Sequence, residues 1–367
     1  MPRPLRLGLD GAALTFPYPP GVARVARELL PRLEAAGHVP LVPAADERER
    51  RWRHRELPRL ERELDLDGIL SLTSAFPVLG RGLRIQTIHE LPWRHGVPEN
   101  AGRTHRLWAR HGRRRADLVL VPSERVLADL ADFAPAAAAK ARVLAWGVDE
   151  PFTAAPSEAL AADDVARLTA LGVEPDPPFV LVPGGARPKK RVDLVVQGIA
   201  PLRGAGGEGA DAPRILVTGA VDLASGGLDE ALRLARTLGI EDRLKYLGPV
   251  ADEDLAALYR AALAVCVLSD SEGFGLGALE GLACGAPVLV PAGSAQAEVL
   301  GSPSLPMPRR LPPGDPEALH GALVELLAAR GSAAEAERRA RRRREAGTRT
   351  WDRTALDLQG HLDSLPR

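Results

Sequence analysis

Residues 263–301, LAVCVLSDSEGFGLGALEGLACGAPVLVPAGSAQAEVLG, constrain this chain more than any other stretch. An apolar run at 263–268 is short enough for a buried strand, and a polar, glycine-bearing turn follows at 269–275. The segment 276–284 is compatible with a helix and is closed by Gly285 and Pro287. A second apolar run at 288–290 restarts a strand. Strand, loop, helix and strand in this order predict a right-handed crossover between parallel strands. In such a sheet, ligands bind at the carboxyl ends of the strands, where this loop lies. Its glycines allow close backbone approach, and the free N–H groups of the helix start favour an anion. Glu272 and Glu280 flank that point. A carboxylate accepts two hydroxyls well, so sugar or ribose hydroxyls are natural partners. Either glutamate alone reads as an ordinary cap or surface residue; the combination points to a ligand.

The stretch resembles the E-x7-E signature of retaining glycosyltransferases of the GT-B fold, family 4 type (glycosyl transferases group 1). That pattern runs roughly S-x-x-E-G-F-G-L-P-x-L-E-A-M-A-C-G-x-P-V. Ser269, Glu272, Gly273, Phe274, Gly275, Leu276, Leu279, Glu280, Ala283, Cys284, Gly285, Pro287 and Val288 fall in register with it. Gly277 stands where proline is usual, a change that should loosen the first helical turn without removing a ligand.

A chain of 367 residues predicts two domains. Hydrophobic residues make up 45%, enough for real cores, while aromatics at 4% leave those cores to Ala, Leu and Val. No apolar run reaches membrane-spanning length, and MPRPLRLGLDG at the start lacks a signal-peptide core. Cys266 and Cys284 sit in apolar surroundings without metal spacing, which argues for a reducing cytoplasm and against a disulfide scaffold. Net charge is zero, yet arginines cluster at 49–62, 103–115 and 338–344. Solvated helix faces are the plain reading; a basic face for an anionic lipid surface or a charged acceptor is the sharper one. Nucleic acid is disfavoured, because no aromatic interleaving accompanies the arginines.

Taken in order, strand-like runs at 5–10, 39–42, 69–72, 85–88 and 118–121 alternate with helical stretches at 22–35, 56–64 and 103–115, which predicts a parallel, doubly covered sheet. GVARVARELL, from Gly21, resembles the helix G-x-G-R-Y-x-x-x-L-L that opens the N-terminal domain of the same family; the resemblance makes Gly21 the glycine at which the loop approaches the donor phosphates. Thr87-Ile88-His89-Glu90 resembles the family's T-x-H-D element, with Glu90 for aspartate. By itself His89 reads as a packed histidine bonded to a backbone carbonyl; the resemblance puts it beside the reacting sugar. Residues 116–123 resemble A-D-x-V-x-x-x-S, with Ser123 as a helix N-cap. Residues 142–149 with Phe152 resemble x-V-I-P-N-G-V-D-x-x-F, Trp146 replacing the asparagine, an element that normally ends the first domain. Residues 151–178 read as a linker with a short helix at 163–171.

A strand at 179–182 opens the second domain, followed by Pro183-Gly184-Gly185-Ala186-Arg187-Pro188-Lys189-Lys190-Arg191 and a helix from Val192. A glycine turn, positive charge and a helix start suit a diphosphate. In the family an arginine stands just after the glycine or five residues on, and a lysine six on. Lys190 matches the lysine; the arginine places hold Gly185 and Lys189, leaving Arg187 as a shifted substitute. A solvated basic turn is a serious competing reading for Lys189 and Arg191 and a poor one for Lys190. Strands at 214–218 and 244–247 and helices at 228–238 and 251–259 follow. Thr350-Trp351-Asp352-Arg353-Thr354-Ala355 resembles the family's final S-W-x-x-x-A helix, which crosses back to the first domain. Asp65-Leu66-Asp67 reads as a turn rather than a metal-binding D-x-D, and no Walker A, dinucleotide, zinc, C-x-x-C or nucleophile-elbow motif is present.

The resemblance implies an α/β GT-B protein: two Rossmann-like domains, an interdomain cleft and a terminal helix crossing back. Residues 1–155 with 350–367 would form the acceptor-side domain and 156–349 the nucleotide-sugar domain. It implies retaining transfer of a hexose from a nucleoside diphosphate sugar to an acceptor hydroxyl, in glycan, glycolipid or glycosylated metabolite synthesis, without metal or cofactor. The expected place is the cytoplasm, or the inner face of the membrane through the arginine-rich face. Similarity of the turn and the T-x-H element to bacterial mannosyl- and rhamnosyl-transferases makes GDP-mannose a first guess for the donor. Lys190, Arg187 and the helix start after Gly275 would stabilise the departing diphosphate, on the turn made by Gly184 and Gly185. Glu272 would hold sugar hydroxyls, Gly273, Phe274, Gly275 and Leu276 would line sugar and phosphate, Glu280 would hold the ribose, and His89 would sit near the sugar. Three alternatives stand beside this: an inert nucleotide-sugar-binding subunit, favoured by the missing arginine; a GT-B sugar-nucleotide epimerase, whose usual carboxylates are not recognisable; and a structural or interaction protein.

Overall fold

Most strands are the apolar runs, and each strand among the described residues is parallel to its neighbours. A computed structural model describes residues 3–98, 102–153, 160–202, 213–220, 226–299, 301 and 309–365. The chain divides into two compact units, Met1–Gly147 with Arg349–Arg367, and Val148–Thr348. In the first, β1 (Leu7–Asp10), β2 (Val39–Leu41), β3 (Gly68–Ser71), β4 (Leu83–Thr87), β5 (Leu118–Val121) and β6 (Ala141–Val143) lie in the order β2-β1-β3-β4-β5-β6. In the second, β7 (Phe179–Val182), β8 (Arg214–Thr218), β9 (Leu244–Gly248), β10 (Ala264–Cys266), β11 (Val288–Pro291) and β12 (Arg309–Leu311) lie in the order β12-β11-β10-β7-β8-β9. β3, β5, β7 and β11 are buried at every position, as strands covered on both faces by helices must be. The main core of the second unit is aliphatic, with Cys266 among its buried members, so it is built without large rings, as the composition predicts. Cys266 and Cys284 are both free and buried, and burial pushes each thiol up to about 12.

The order of the second sheet positions the site. The chain runs outward from β7 to β9, then returns to add β10 on the other side of β7 and continues outward to β12. The loops after β7 and β10 therefore leave adjacent strand ends and lead to strands on opposite sides, β8 and β11, the point at the carboxyl edge where sheets of this kind bind ligands. The apolar run 263–268 is wider than its strand: pairing covers Ala264–Cys266, although Val267 N still donates to Leu289 O at 2.9 Å.

Two boundaries differ from the sequence-based ones. The first unit ends at Gly147, not at 155. The residues just after it already pack in the second unit: Pro151 O accepts from Arg260, Cys284 Sγ donates to Phe152 O, and the Phe152 ring lies edge-on to Tyr259 at 6.0 Å. The helix expected at 56–64 belongs to a longer helical stretch that starts at Glu49 and passes through a π-turn over Trp52–Glu56. Trp52 in that turn is buried, and its indole N–H donates to Asp10 at the end of β1. The terminal helix Trp351–Asp363 belongs to the first unit. There Thr354 Oγ1 donates to Ala145 O, His361 Nε2 to Val143 O, and Trp351 stacks on Trp146 at 6.2 Å. Asp65–Asp67 is the turn into β3, and the Asp67 carboxylate accepts from Arg3 and from the Arg6 backbone.

One ion pair in the first unit is almost wholly out of water. Arg84 on β4 donates both terminal nitrogens to Glu61, each at 2.7 Å, with side chains 5% and 3% exposed. Its remaining hydrogens reach the carbonyls of Leu79, Gly82 and Leu83. Forming such a pair gains little net stability, because both charges lose their hydration, but removing one partner strands the other. Glu61→Ala should therefore destabilise the chain by about 3–5 kcal/mol, read as a lowered urea midpoint.

Candidate active site at the strand reversal of the second unit

The loop after β7 begins with two glycines in backbone conformations that other residues rarely adopt, Gly184 at φ +88° and Gly185 at φ +92°. A side chain on Gly184 would also meet the Lys190 ammonium, 3.1 Å from where its Cβ would stand. The glycine thus leaves the space that the lysine occupies. A single 3-10 turn, Pro188–Lys190, follows, and Arg191 at φ +54° leads into the helix Val192–Ile199. The loop after β10 carries Glu272 and ends at Gly275, φ +103°, which starts the helix Leu276–Ala283 without any side-chain cap. Uncapped, that helix start offers backbone N–H groups to an anion. Gly275 is needed for a second reason, since its Cβ would lie 2.9 Å from Gln296 Cγ.

Three contacts join the two loops. Asp270 N donates to Lys189 O at 2.9 Å, Arg191 reaches Asp270 at 3.1 Å, and Lys190 Nζ donates to Glu272 Oε1 at 2.6 Å. The last pair is mostly buried, with side chains 12% and 18% exposed. Burial raises the Glu272 pKa, but Lys190 and then Lys189 outweigh it and hold the carboxyl below the usual glutamate range. The lysine and the carboxylate, expected to serve the phosphates and the sugar separately, are thus bonded to each other. For Lys189 the structure decides against the solvated turn: the residue is buried, with the β10 loop bonded to its carbonyl. It stands five residues after Gly184, at one of the arginine places, and its charge acts on Glu272. Arg187 is half-buried just ahead of the turn.

Glu280 carries a contact that the sequence did not show. It is 6% exposed inside the helix, and the fully buried Tyr259 donates its phenol to Oε2 at 3.1 Å. Gly277, where proline was expected, lies under the same phenol: its Cβ would stand 3.1 Å from Pro183 Cγ and 3.2 Å from Tyr259 Oη. Gly273 and Phe274 are buried and Leu276 half-buried. Gly184, Lys190, Glu272 and Gly275 are thus brought together by the strand reversal, while His89 and Gly21 belong to the first unit. Gly21 is not on a loop; it is the second residue of the helix Pro20–Ala35 and is exposed. His89, just past β4, has Nε2 2.8 Å from Leu72 O, which assigns the proton to Nε2 and leaves Nδ1 as acceptor. Burial lowers its pKa, so the ring is neutral at neutral pH, and it tilts against Trp146 at 5.7 Å.

Sequence reasoning missed Tyr259 and Gln296. Gln296 is fully buried, donates to Ser269 O at 3.2 Å and touches Gly275. Its signal was there to read, a polar stretch just after a strand at the ligand-binding edge. Tyr259 had no such signal, since it closes an ordinary amphipathic helix. Among the described residues, no group of three or more His, Cys, Asp or Glu side chains could hold a metal ion.

Residues 168–343 match the family model described as Glycosyl transferases group 1. The second unit is a glycosyl transferases group 1 domain. A D-inositol 3-phosphate glycosyltransferase of Gordonia bronchialis is 35% identical over 178 residues, 47% of this chain and 37% of that protein. One from Mycobacterium tuberculosis is 41% identical over 133 residues, 35% of this chain and 26% of that protein. These matches therefore span well under half the length of the curated relatives. Among solved structures, HepE of Anabaena with UDP and glucose gives a TM-score of 0.74 at 16% identity, over 98% of this chain and 100% of that one. Sucrose-phosphate synthase of Thermosynechococcus elongatus gives 0.74 at 21%, over 98% and 99%. At such identities the likeness establishes the fold, which is GT-B, for a group 1 domain joined to a second Rossmann-like unit.

The hydrogen bond inside the domain can be tested directly. Tyr259→Phe leaves the buried Glu280 without its phenol donor and should destabilise the chain by about 1–3 kcal/mol in urea unfolding. An unchanged midpoint would show that the bond contributes nothing.

Proposed function

We propose that the chain is a retaining glycosyltransferase that moves a hexose from a nucleoside diphosphate sugar to an acceptor hydroxyl without a metal ion. The observation that carries this is the Lys190–Glu272 pair at the strand reversal of a group 1 domain, with an uncapped helix start beside it. The bond from the anomeric carbon to the diphosphate breaks, and negative charge gathers on the leaving oxygen. Lys190, Lys189 and the helix start after Gly275 stabilise that charge. Glu272 accepts the hydroxyls of a sugar that passes through an oxocarbenium-like state. The acceptor oxygen bonds to the same face, and its proton goes to the departing phosphate oxygen. Glu280 holds the ribose, its carboxylate oriented by Tyr259.

HepE was solved with UDP and glucose, and this makes a UDP-hexose the first donor to test, ahead of GDP-mannose. The names of the relatives make a phosphorylated polyol the first acceptor. Lys189 weakens the case for an inert binding subunit, because it supplies positive charge at an arginine place.

Peripheral contact with an anionic membrane is supported by one helix. Arg103–Arg115 contains no acidic residue, and Arg103, Arg106, Leu107, Arg110 and Arg114 form an exposed stripe along it. His54 stacks on Trp108 of this helix at 6.2 Å, so two of the three arginine clusters adjoin. No helix among the described residues is long and apolar enough to cross a membrane.

Thermal shift with UDP, GDP, dTDP and ADP should select one base, since a bound ligand stabilises the folded chain. In a transfer assay with that donor, Lys190→Ala should lose on the order of 10²-fold in rate, the scale of one preorganised charge. EDTA in the same assay should leave the rate intact. Unchanged turnover by Lys190→Ala would remove its assigned role. Vesicles containing anionic lipid should sediment the protein at low salt and release it at high salt, whereas neutral vesicles should not bind it.

A further inference from the structure

We propose that the Lys190–Glu272 pair makes the site discriminate against its own product: the carboxylate competes with a free nucleoside diphosphate for the lysine, and an intact sugar nucleotide relieves that competition. The inference rests on the donor-site assignment made above. Lys190 Nζ donates to Glu272 Oε1 at 2.6 Å, and both side chains are mostly buried. A diphosphate arriving at the turn over Gly184 meets the ammonium it needs and a carboxylate one hydrogen bond beyond it. Between partly buried charges at such range, salt and water screen the repulsion only weakly.

The two ligands differ in how they meet this carboxylate. A sugar nucleotide has its terminal phosphate esterified, so that oxygen carries no charge, and the attached hexose supplies hydroxyls that donate to Glu272. A nucleoside diphosphate has a further ionisable oxygen, which above about pH 6 is charged and has no donor to offer. Glu272 therefore favours the substrate and opposes the product. Arg191 does not relieve the repulsion, because it is engaged by Asp193 and Asp270.

Protons report the exchange. The charged and polar groups facing Glu272 are Lys190 and Lys189 from the turn and Ser269 from its own loop. The two lysines keep the carboxyl ionised against burial. When a phosphate takes Lys190 and adds like charge nearby, the carboxyl pKa rises. Product binding then takes up a proton and tightens as pH falls toward the ordinary glutamate range, about 4–5. The sugar nucleotide, which hydrogen-bonds the ionised carboxylate, takes up less.

The test is calorimetry on the whole chain with UDP and UDP-glucose, or the corresponding pair for the base selected by thermal shift. Glu272→Gln keeps the side-chain shape and should tighten UDP about tenfold, within the usual span of coupling between neighbouring sites, without tightening UDP-glucose. With the wild-type chain, the affinity for UDP relative to UDP-glucose should rise as pH falls from about 8 to about 5, through the ionisation of the terminal phosphate near 6 and toward the ordinary glutamate range. This second measurement does not depend on the variant folding. If UDP binds the variant no tighter than the wild type, or the relative affinity for UDP does not rise as pH falls, the inference is overturned and the donor site stands. If no nucleoside diphosphate binds the wild type, both are overturned.

Discussion

A carboxylate taken largely out of water needs a cation, and Glu272 has Lys190 at 2.6 Å with Lys189 also acting on it. The arrangement of the second unit serves that requirement. The lysine and the carboxylate are 82 residues apart in the chain, and they meet because β10 returns to lie beside β7. Both loops then leave the same edge of the sheet. Gly184 keeps the space under the ammonium open, and Gly275 lets the second loop turn into its helix against Gln296. A buried pair of this kind is weak evidence for stability. Its effect is electrostatic: it holds a positive charge and an ionised acceptor within one hydrogen bond of each other at the carboxyl edge of the sheet.

Much of this was legible in the sequence because parallel strands covered on both faces are nearly continuous apolar runs. Phe179–Val182, Arg214–Thr218 and Leu118–Val121 have the bounds that their composition predicts. Glycines at turns were equally legible, since positive φ at Gly184 and Gly275 is a local demand. Long-range contacts were not. Nothing in PKK distinguishes a lysine packed under another loop from one in water, yet Lys189 is buried and Lys190 is paired. A glutamate eight residues into a motif looks like a free ligand, whereas Glu280 has Tyr259 on one oxygen. Short strands such as Arg309–Leu311, with half-buried arginines, carry no apolar signal at all.

In the first unit, Trp146 stands where the sequence resemblance leads one to expect an asparagine. It lies between His89 and Trp351, with ring centroids at 5.7 and 6.2 Å. Its bulk is useful in a chain with few aromatics, because one indole supports both a strand-end histidine and the terminal helix. His89 is correspondingly constrained, with Nε2 committed to Leu72 O and only Nδ1 left for other work.

The terminal helix also imposes an order of events during synthesis. Ala145 and Val143, near the end of the first stretch, bond to Thr354 and His361, and His38 bonds to Gln359. The first unit thus cannot be completed until all of Val148–Thr348 has left the ribosome, a delay on the order of 10–40 s at ordinary translation rates. By the end of that interval the second unit is out and can fold whole, while the first has waited with an uncovered surface along the helix Pro20–Ala35. The half of the chain made first is therefore the half finished last.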